Sequence, residues 1–338
     1  MPERSRLAIP ITRGRQFVSL VGLTAVETAR QPICLLLAIC CVVLTALGPL
    51  LLLHQFGEEG KLARDTGLAL HFVFGLFLAV YASSSALNRE MNSGTAAAVL
   101  SKPVGRAPFF LAKFGGVTLV MAVFSIAAAT ATLLSERVSE KFEQTGKVVG
   151  YVTDWQTGFL MLAAPAAACL TAGWINWRWR RPFTSVALGL LLVLLLGVLW
   201  LGCWFDRAGH LVGFSPRFAW RILPASLLVA LALVVLCAFT LTLSTRLSIV
   251  PTLVLGGAIF VGGLLSDYYF GRTAANSVIA ALAYRLLPNW QHFWMADALD
   301  HEGCIPVEYL GCACGYALTY LAGLLGIGIA LFEDAEVK

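Results

Sequence analysis

Side chains with the chemistry of metal ligands cluster between residues 285 and 304. They are His292, Asp297, Asp300, His301 and Cys304. Imidazoles, carboxylates and thiolates all bind zinc and related metals. Aromatic and apolar residues interleave with them, namely Trp290, Phe293, Trp294 and Leu299. These fit a short helix in the aromatic belt at the outer membrane surface. We therefore predict this helix and no metal site. If a metal did bind, His292 and His301 would be its candidate ligands, on weak evidence.

Motifs for catalysis are missing from the sequence. It contains no HExxH and no GxSxG, and the fragment nearest to a P-loop, TGKVVG from Thr145, lacks the preceding glycine and the hydroxyl after lysine. The apolar runs hold few ionisable groups: His71 lies early in one run, and Lys113 and Asp267 lie at the ends of others. We predict a chain that is not an enzyme, binds no cofactor or nucleic acid, and has no ion-driven mechanism of its own.

The elements that must position these residues are membrane helices. Hydrophobic residues make up 59% of the 338 positions and charged residues 13%, against ~25% charged in a soluble domain. Eight apolar runs are candidates to cross a ~30 Å hydrocarbon layer. They are Ile33 to Leu53, Thr66 to Leu87, Phe109 to Leu134, Gly158 to Ile175, Ser185 to Trp204, Ile222 to Leu243, Ile249 to Leu265 and Gly311 to Phe332. We predict an all-α polytopic membrane protein, since the alternating segments of a strand barrel are absent.

The distribution of basic residues predicts the topology. With the N-terminus inside, the cytoplasmic segments hold 14 basic and 6 acidic residues, and the opposite segments 10 basic and 13 acidic residues. The densest cluster, Arg178, Arg180 and Arg181, lies in the short turn NWRWRRP. By the positive-inside rule this turn and both termini are cytoplasmic. The cluster could also bind anionic lipid headgroups, but fixing topology is the interpretation we favour.

Two further segments allow alternative interpretations. Phe17, Leu20, Val21 and Thr24 recur at helical spacing, which favours a helix on the inner membrane surface over an ordinary cytosolic extension. In the outer segment, residues 267–310, and the run that follows it, Cys304 could form a disulfide with Cys312 or Cys314. Equally, the last two cysteines could simply begin the final span.

The polar stretch between the second and third runs, residues 88–108, predicts a short helix of its own. Asn92 or Ser93 can cap its start, and Pro103 forbids its continuation. Basic residues flank an apolar face, which suits docking into a groove on a soluble partner. A solvated loop that follows the positive-inside rule is the alternative.

This stretch resembles the cytoplasmic coupling loop of ABC-2 type permeases, in the pattern E-x3-GT-x4-LS-x-PV-x-R-x3-F-x2-K. The matching residues are Glu90, Gly94, Thr95, Leu100, Ser101, Pro103, Val104, Arg106, Phe110 and Lys113. Leu23 to Ile33 resembles the elbow helix of the family, Leu243 to Asp267 its turn between the fourth and fifth spans, and Leu287 to Asp334 its closing segment. The family has six spans, so the hairpin at residues 158–204 is an additional pair.

The resemblance implies a division of the chain and a set of partners. Residues 1–32 would form the cytoplasmic N-terminus and elbow helix, residues 33–332 the permease domain and residues 333–338 a cytoplasmic tail. The chain would be an exporter subunit in a prokaryotic inner membrane, among membrane lipids and beside a second permease subunit, identical or different. A separate ATPase, carrying ATP and Mg²⁺, would contact Glu90, Gly94, Thr95, Leu100, Pro103, Arg106 and Lys113. A non-transporting scaffold with the same fold is the alternative function.

Overall fold

The fold is a bundle of long helices, seen in a computed structural model. The model describes residues 4–51, 60–92, 105–145, 148–207, 209–215, 217–272 and 277–333. The α-helices of these residues are α1 (Arg4–Ala29), α2 (Pro32–Leu51), α3 (Lys61–Asn92), α4 (Arg106–Val138), α5 (Trp155–Trp179), α6 (Phe183–Gly202), α7 (Ile222–Leu243), α8 (Ile249–Leu264), α9 (Val278–Leu286) and α10 (Val307–Glu333). The all-α polytopic prediction is confirmed.

Seven of the described helices, α2 to α7 and α10, are long and apolar enough to cross a membrane. The remaining predicted span is α8, which has 16 residues. At 1.5 Å per residue it covers roughly 24 Å, short of a ~30 Å hydrocarbon layer. A π-helical turn at Asp267–Gly271 follows it closely. Each of the eight predicted runs therefore contains a described helix, and one of these helices is shorter than a full span.

The packing centres on α3, α4 and α7. Most of the apolar stretch of α4 is buried inside the chain, whereas most of the apolar stretch of α5 and of α10 is not. The central helices therefore bury side chains such as Leu78, Phe124 and Leu236 against one another. The outer helices leave large apolar side chains such as Leu170 and Leu318 exposed, as expected for helices in contact with lipid.

Contacts between helix ends define two ends of the bundle. We call one of them the loop end, because it borders the connection between α3 and α4. It contains the turn between α1 and α2, the end of α3, the starts of α4 and α6, the turn between α7 and α8, and the end of α10. It is identified by bonds such as those from Thr184 to Arg30 and from Asn88 to Leu247. The far end holds the start of α3, the end of α4 and the segment before α10, where Arg64 meets Asp300.

The predicted hairpin at residues 158–204 is present as α5 and α6, joined by a tight turn. Arg180 adopts the left-handed conformation there, with φ 54°, and the side-chain amide of Asn176 donates to the carbonyl of Arg181. Asp154 caps the start of α5 by accepting a hydrogen bond from the amide of Thr157 at 2.9 Å. The hairpin thus has a defined cap and turn at its two ends.

Two outer segments differ from the sequence prediction. The third predicted run ends at Leu134, but α4 continues to Val138 and is followed by an antiparallel pair of strands, β1 (Lys141–Thr145) and β2 (Val148–Val152), with Phe142 opposite Tyr151. The predicted aromatic helix at the membrane surface is two 3-10 helices, Trp290–Phe293 and Asp297–Glu302. Trp290 and Phe293 are fully buried in the bundle. Their aromatic area is therefore part of the core rather than of a surface belt.

Candidate coupling interface

The predicted coupling residues lie in and around one connection at the loop end. Gly94, Thr95, Leu100 and Pro103 fall in residues 93–104, which lie outside the described residues. Glu90 lies in the last turn of α3, and Arg106 is the first residue of α4. The described residues therefore give the two helices that border the connection and the neighbours to which these helices are attached.

Lys113 is inside the chain rather than on its surface. The residue is 3% exposed, its Nζ lies 3.8 Å from Oε2 of Glu27 on α1, and it sits 5.5 Å from the ring centroid of Phe109. A cation over an aromatic face and beside a carboxylate is held from two sides. Sequence reasoning predicts partner contact for Lys113, but the structure places it against α1.

Helix α1 packs closely on α4 near this pair. A Cβ added at Gly116 would lie 2.5 Å from Cβ of Thr24 and 2.9 Å from the backbone nitrogen of Ala25, so only glycine permits the approach. Leu20, Val21 and Thr24, which we predicted to face the membrane surface, are on the side of α1 that is partly or fully buried. The helix is confirmed, and its apolar face is used at least in part against α4.

Arg106 attaches the start of α4 to the end of α10. Its Nη1 donates a hydrogen bond to the carbonyl oxygen of Glu333. The last turn of a helix leaves such carbonyls without intrahelical donors, and a cation there also interacts favourably with the helix dipole. Arg106 is thus both a member of the predicted coupling motif and the cap of α10.

The end of α3 is attached through polar residues that the sequence analysis did not single out. The side-chain amide of Asn88 donates to the carbonyls of Ser84 (3.0 Å) and Leu247 (3.3 Å), and therefore joins α3 to the turn before α8. The side-chain amide of Gln31 donates to the hydroxyl of Ser85 at 3.1 Å and joins the start of α2 to α3. The position of Gln31 and Asn88 at the ends of apolar runs was the one sign in the sequence that they attach helices. Their hydrogen-bond partners could not be predicted from the sequence.

A buried cluster of apolar side chains lies directly behind these attachments. It consists of Leu87, Phe109, Phe110, Leu241 and Phe332, from α3, α4, α7 and α10, and we call it the loop-end cluster. The rings of Phe109 and Phe332 stack with centroids 5.8 Å apart. Because tightly packed interiors transmit displacement, a movement of α3 or α4 reaches α7 and α10 through this cluster.

The basic cluster predicted at the hairpin turn also lies at the loop end. Arg178, Arg180 and Arg181 are exposed, and neighbouring Trp177 is 77% exposed. The hydroxyl of Thr184 donates to the carbonyl of Arg30 at 2.6 Å and so holds the turn beside the junction of α1 and α2. Cations of the hairpin and of the coupling connection therefore share one end of the bundle.

Of the two weak metal candidates, the structure describes the side chain of His292 alone. His292 packs against the ring of Tyr316 with centroids 5.4 Å apart, and the side chain of His301 lies outside the described ones. Asp300 is engaged by Lys61 (3.0 Å) and Arg64 (2.6 Å). Among the described residues, no three His, Cys, Asp or Glu side chains form a group that could hold a metal ion.

The cysteines are free thiols in the structure. Cys304 lies three residues before α10, and Cys312 and Cys314 lie within that helix, as in the interpretation that they begin the last span. His71 is fully buried in α3 beside Phe124, and neither of its ring nitrogens has a hydrogen-bond partner.

Comparison with known proteins identifies one family. The model of a family described as ABC-2 family transporter protein matches residues 28–197, just over half of the chain. The match runs from the end of α1 through both helices of the hairpin and includes the whole coupling connection. No curated protein and no solved structure matches the chain.

Proposed function

The chain belongs to the ABC-2 family of transporter proteins, and we propose that it is a permease subunit driven by a separate ATPase that docks on residues 88–108. One observation carries the proposal. The two helices that border this connection are attached to four neighbouring elements at the loop end: the start of α2, the turn before α8, the end of α10 and α1. A force on the connection therefore acts on most of the bundle at once.

The attachments suggest how the displacement spreads. A push on the end of α3 acts on α2 through Gln31 and on the α7–α8 turn through Asn88. A push on the start of α4 acts on α1 through Lys113 and on α10 through Arg106. The loop-end cluster fills the space between these contacts. Rigid-body movement of packed helices is an established way to convert a local event into a global change.

The loop end faces the cytoplasm in this proposal, and both termini lie on that side. Support comes from the exposed arginines of the hairpin turn and from Arg30, Arg106 and Arg246 at the same end, as the positive-inside rule requires. The membrane would be the inner membrane of a prokaryote, and export is the direction that the family resemblance implies. Anionic lipid headgroups would neutralise part of the basic cluster.

ATP and Mg²⁺ would be bound by the partner ATPase, because the chain has no P-loop. ATPases of this kind act in pairs, so the complex would contain a second permease subunit, identical or different. A symmetric pair would present two copies of the coupling connection, related by a twofold axis, to the two nucleotide-binding subunits.

Replacement of residues 93–104 by a neutral linker of equal length tests the proposal. The exchange leaves Asn88 and Arg106, and hence the described attachments, in place. We expect the variant to lose co-purification with the partner ATPase and to lose stimulation of ATP turnover. The matched control changes Arg178, Arg180 and Arg181 to lysine, which alters the loop end but keeps the positive charge that sets the topology, and should retain both. A chain that never co-purifies with an ATPase would favour the non-transporting scaffold.

A further inference from the structure

A groove of about 390 Å³ opens between α4, α7 and the first turn of α10. Its lining is almost entirely apolar, with Leu310 closing one side and Ile126, Leu223 and Leu227 at its rim. These three rim residues are between 40% and 48% exposed. In a membrane-spanning bundle, an apolar groove with an exposed apolar rim opens toward lipid.

Two hydroxyl groups inside the groove have no hydrogen-bond partner. They belong to Ser125 on α4 and Ser226 on α7, which are 6% and 3% exposed. Other buried hydroxyls of the same helices donate to the carbonyl four residues earlier, as Thr130 does at 2.7 Å and Thr240 at 2.9 Å. A buried polar group without a partner costs stability, so an acceptor brought by an occupant of the groove would stabilise the two serines as they are oriented in the structure.

The small residues of the groove let an occupant approach both helices. Ser125 and Ala129 lie one turn apart on α4, and Ser226 and Ala230 lie one turn apart on α7. Such pairs also occur where two membrane helices pack. However, the backbone carbonyls of a helix are already bonded within that helix, whereas the ester carbonyls of a lipid are free to accept. A lipid would therefore satisfy the two serine hydroxyls better than a second helix would.

The depth of the groove identifies the part of the lipid that reaches the serines. Ser226 lies about one turn from the far-end start of α7, and Leu310 lies in the first turn of α10. Trp220, just before α7, is 41% exposed, as is typical of tryptophan at a membrane interface. Ser226 lies within about 9 Å of Trp220 along the helix axis, so a lipid whose headgroup lies at this interface can bring its ester carbonyls to the serines.

We propose that the groove binds one diacyl glycerolipid from the far-end leaflet. The ester carbonyl oxygens of the lipid accept hydrogen bonds from the hydroxyls of Ser125 and Ser226, and an acyl chain fills the apolar trough beside Ala129 and Ala230. The lipid site is formed by the described helices alone. The proposal is therefore independent of whether the chain transports a substrate.

The test compares ester-linked and ether-linked phosphatidylethanolamine with identical chains. Delipidated full-length protein is mixed with each lipid, and bound lipid is counted by native mass spectrometry. At roughly 5-fold per hydrogen bond, we expect the ester lipid to bind about 5- to 30-fold more tightly than its ether analogue. The double variant Ser125→Ala/Ser226→Ala should bind both lipids equally, and Ala230→Leu should exclude both from the groove.

The control is Thr130→Val, which removes a hydroxyl that already donates to its own helix and should keep the preference for the ester. Equal binding of the two lipids by the unaltered protein overturns the proposal without the need for any variant. An Ala230→Leu protein that binds lipid normally overturns it too. If that protein changes instead from dimer to monomer, the groove holds a helix of a second copy.

Discussion

Arg137 and Asp154 form an ion pair that is buried at the far end of the bundle. Nε of Arg137 lies 2.8 Å from Oδ2 of Asp154, and the two side chains are 3% and 2% exposed. Arg137 also donates to the carbonyl of Phe205 at 2.7 Å and to that of Gly202. One guanidinium group therefore joins the end of α4 to the start of α5 and the end of α6, and fixes the hairpin on the rest of the bundle.

Removal of one partner of this pair should destabilise the protein strongly. Asp154→Asn leaves the charge of Arg137 buried without its counter-ion, which typically costs about 3–5 kcal/mol. We expect a marked fall in the thermal unfolding midpoint of the purified protein in detergent. The control Glu308→Gln makes the same change of charge at an exposed position of the same end and should leave the midpoint within error. Equal effects of the two variants would contradict the role given to Arg137.

Lys113 should influence ATPase binding through its contact with Glu27 on α1 rather than by touching the ATPase. Because Lys113 is buried against α1, the effects of Glu27→Gln and Lys113→Met on affinity for the ATPase should be non-additive, and the double variant should be no weaker than Lys113→Met alone. The measurement is titration of the ATPase onto each variant. Direct contact of Lys113 with the ATPase would appear as loss of affinity in Lys113→Met with none in Glu27→Gln.

At Gly328, α10 closely approaches both α4 and α7. A Cβ there would lie 2.5 Å from the ring of Phe110 and 2.8 Å from Oγ1 of Thr242, and Phe110 is fully buried. We expect Gly328→Ala to lower stability by about 1–3 kcal/mol through overpacking. Gly326→Ala, two residues away, meets no atom within 4 Å and should be neutral or slightly stabilising, since alanine favours helix. Thermal unfolding of both variants provides the comparison.

Acid should loosen the segment that precedes α10. The ammonium of Lys61 and the guanidinium of Arg64 lower the pKa of Asp300 below its ordinary value, which is about 3.9. The pKa of Asp300 is lower in the folded protein than in the unfolded chain. The ionised carboxylate therefore contributes its full stabilisation above the pKa of the unfolded chain, and this stabilisation is lost as the pH falls through the pKa of the folded protein. When the pH is lowered from about 6 to about 3, the thermal unfolding midpoint of Asp300→Asn should therefore fall less than that of the unaltered protein. Equal changes of the midpoint with pH in the two proteins would exclude this role for Asp300.

The helices were largely predictable because the transfer of an apolar run into lipid depends on its own residues. Thus α7 begins and ends at the predicted residues, Ile222 and Leu243. The burial of Arg137 was not predictable, because its cost is offset only when Asp154 and the carbonyl of Phe205 come within reach. Arg137 and Asp154 both lie outside the apolar runs predicted as spans. Their pairing depends on the folded arrangement of three helices.

The candidate site was predictable in its position and not in its attachments. The pattern around Glu90 and Arg106 located the connection between α3 and α4. The roles of Gln31 and Asn88 depend on a hydroxyl of α3 and a carbonyl of Leu247, 54 and 159 residues away in sequence. Lys113 shows the same limit: a lysine at a span end is expected to reach toward water, and only the docked α1 supplies Glu27 as its partner.

The two ends of the bundle are fastened with different strength. At the far end, Arg137 and Asp154 form a pair in which both charged side chains are buried. At the loop end, Glu27 beside Lys113 is half-exposed, and Gln31 and Asn88 make neutral hydrogen bonds, which contribute less than hydrogen bonds to charged groups. A displacement at the loop end is therefore expected to break these weaker contacts before it separates Arg137 from Asp154, so the hairpin and α4 should stay joined at the far end.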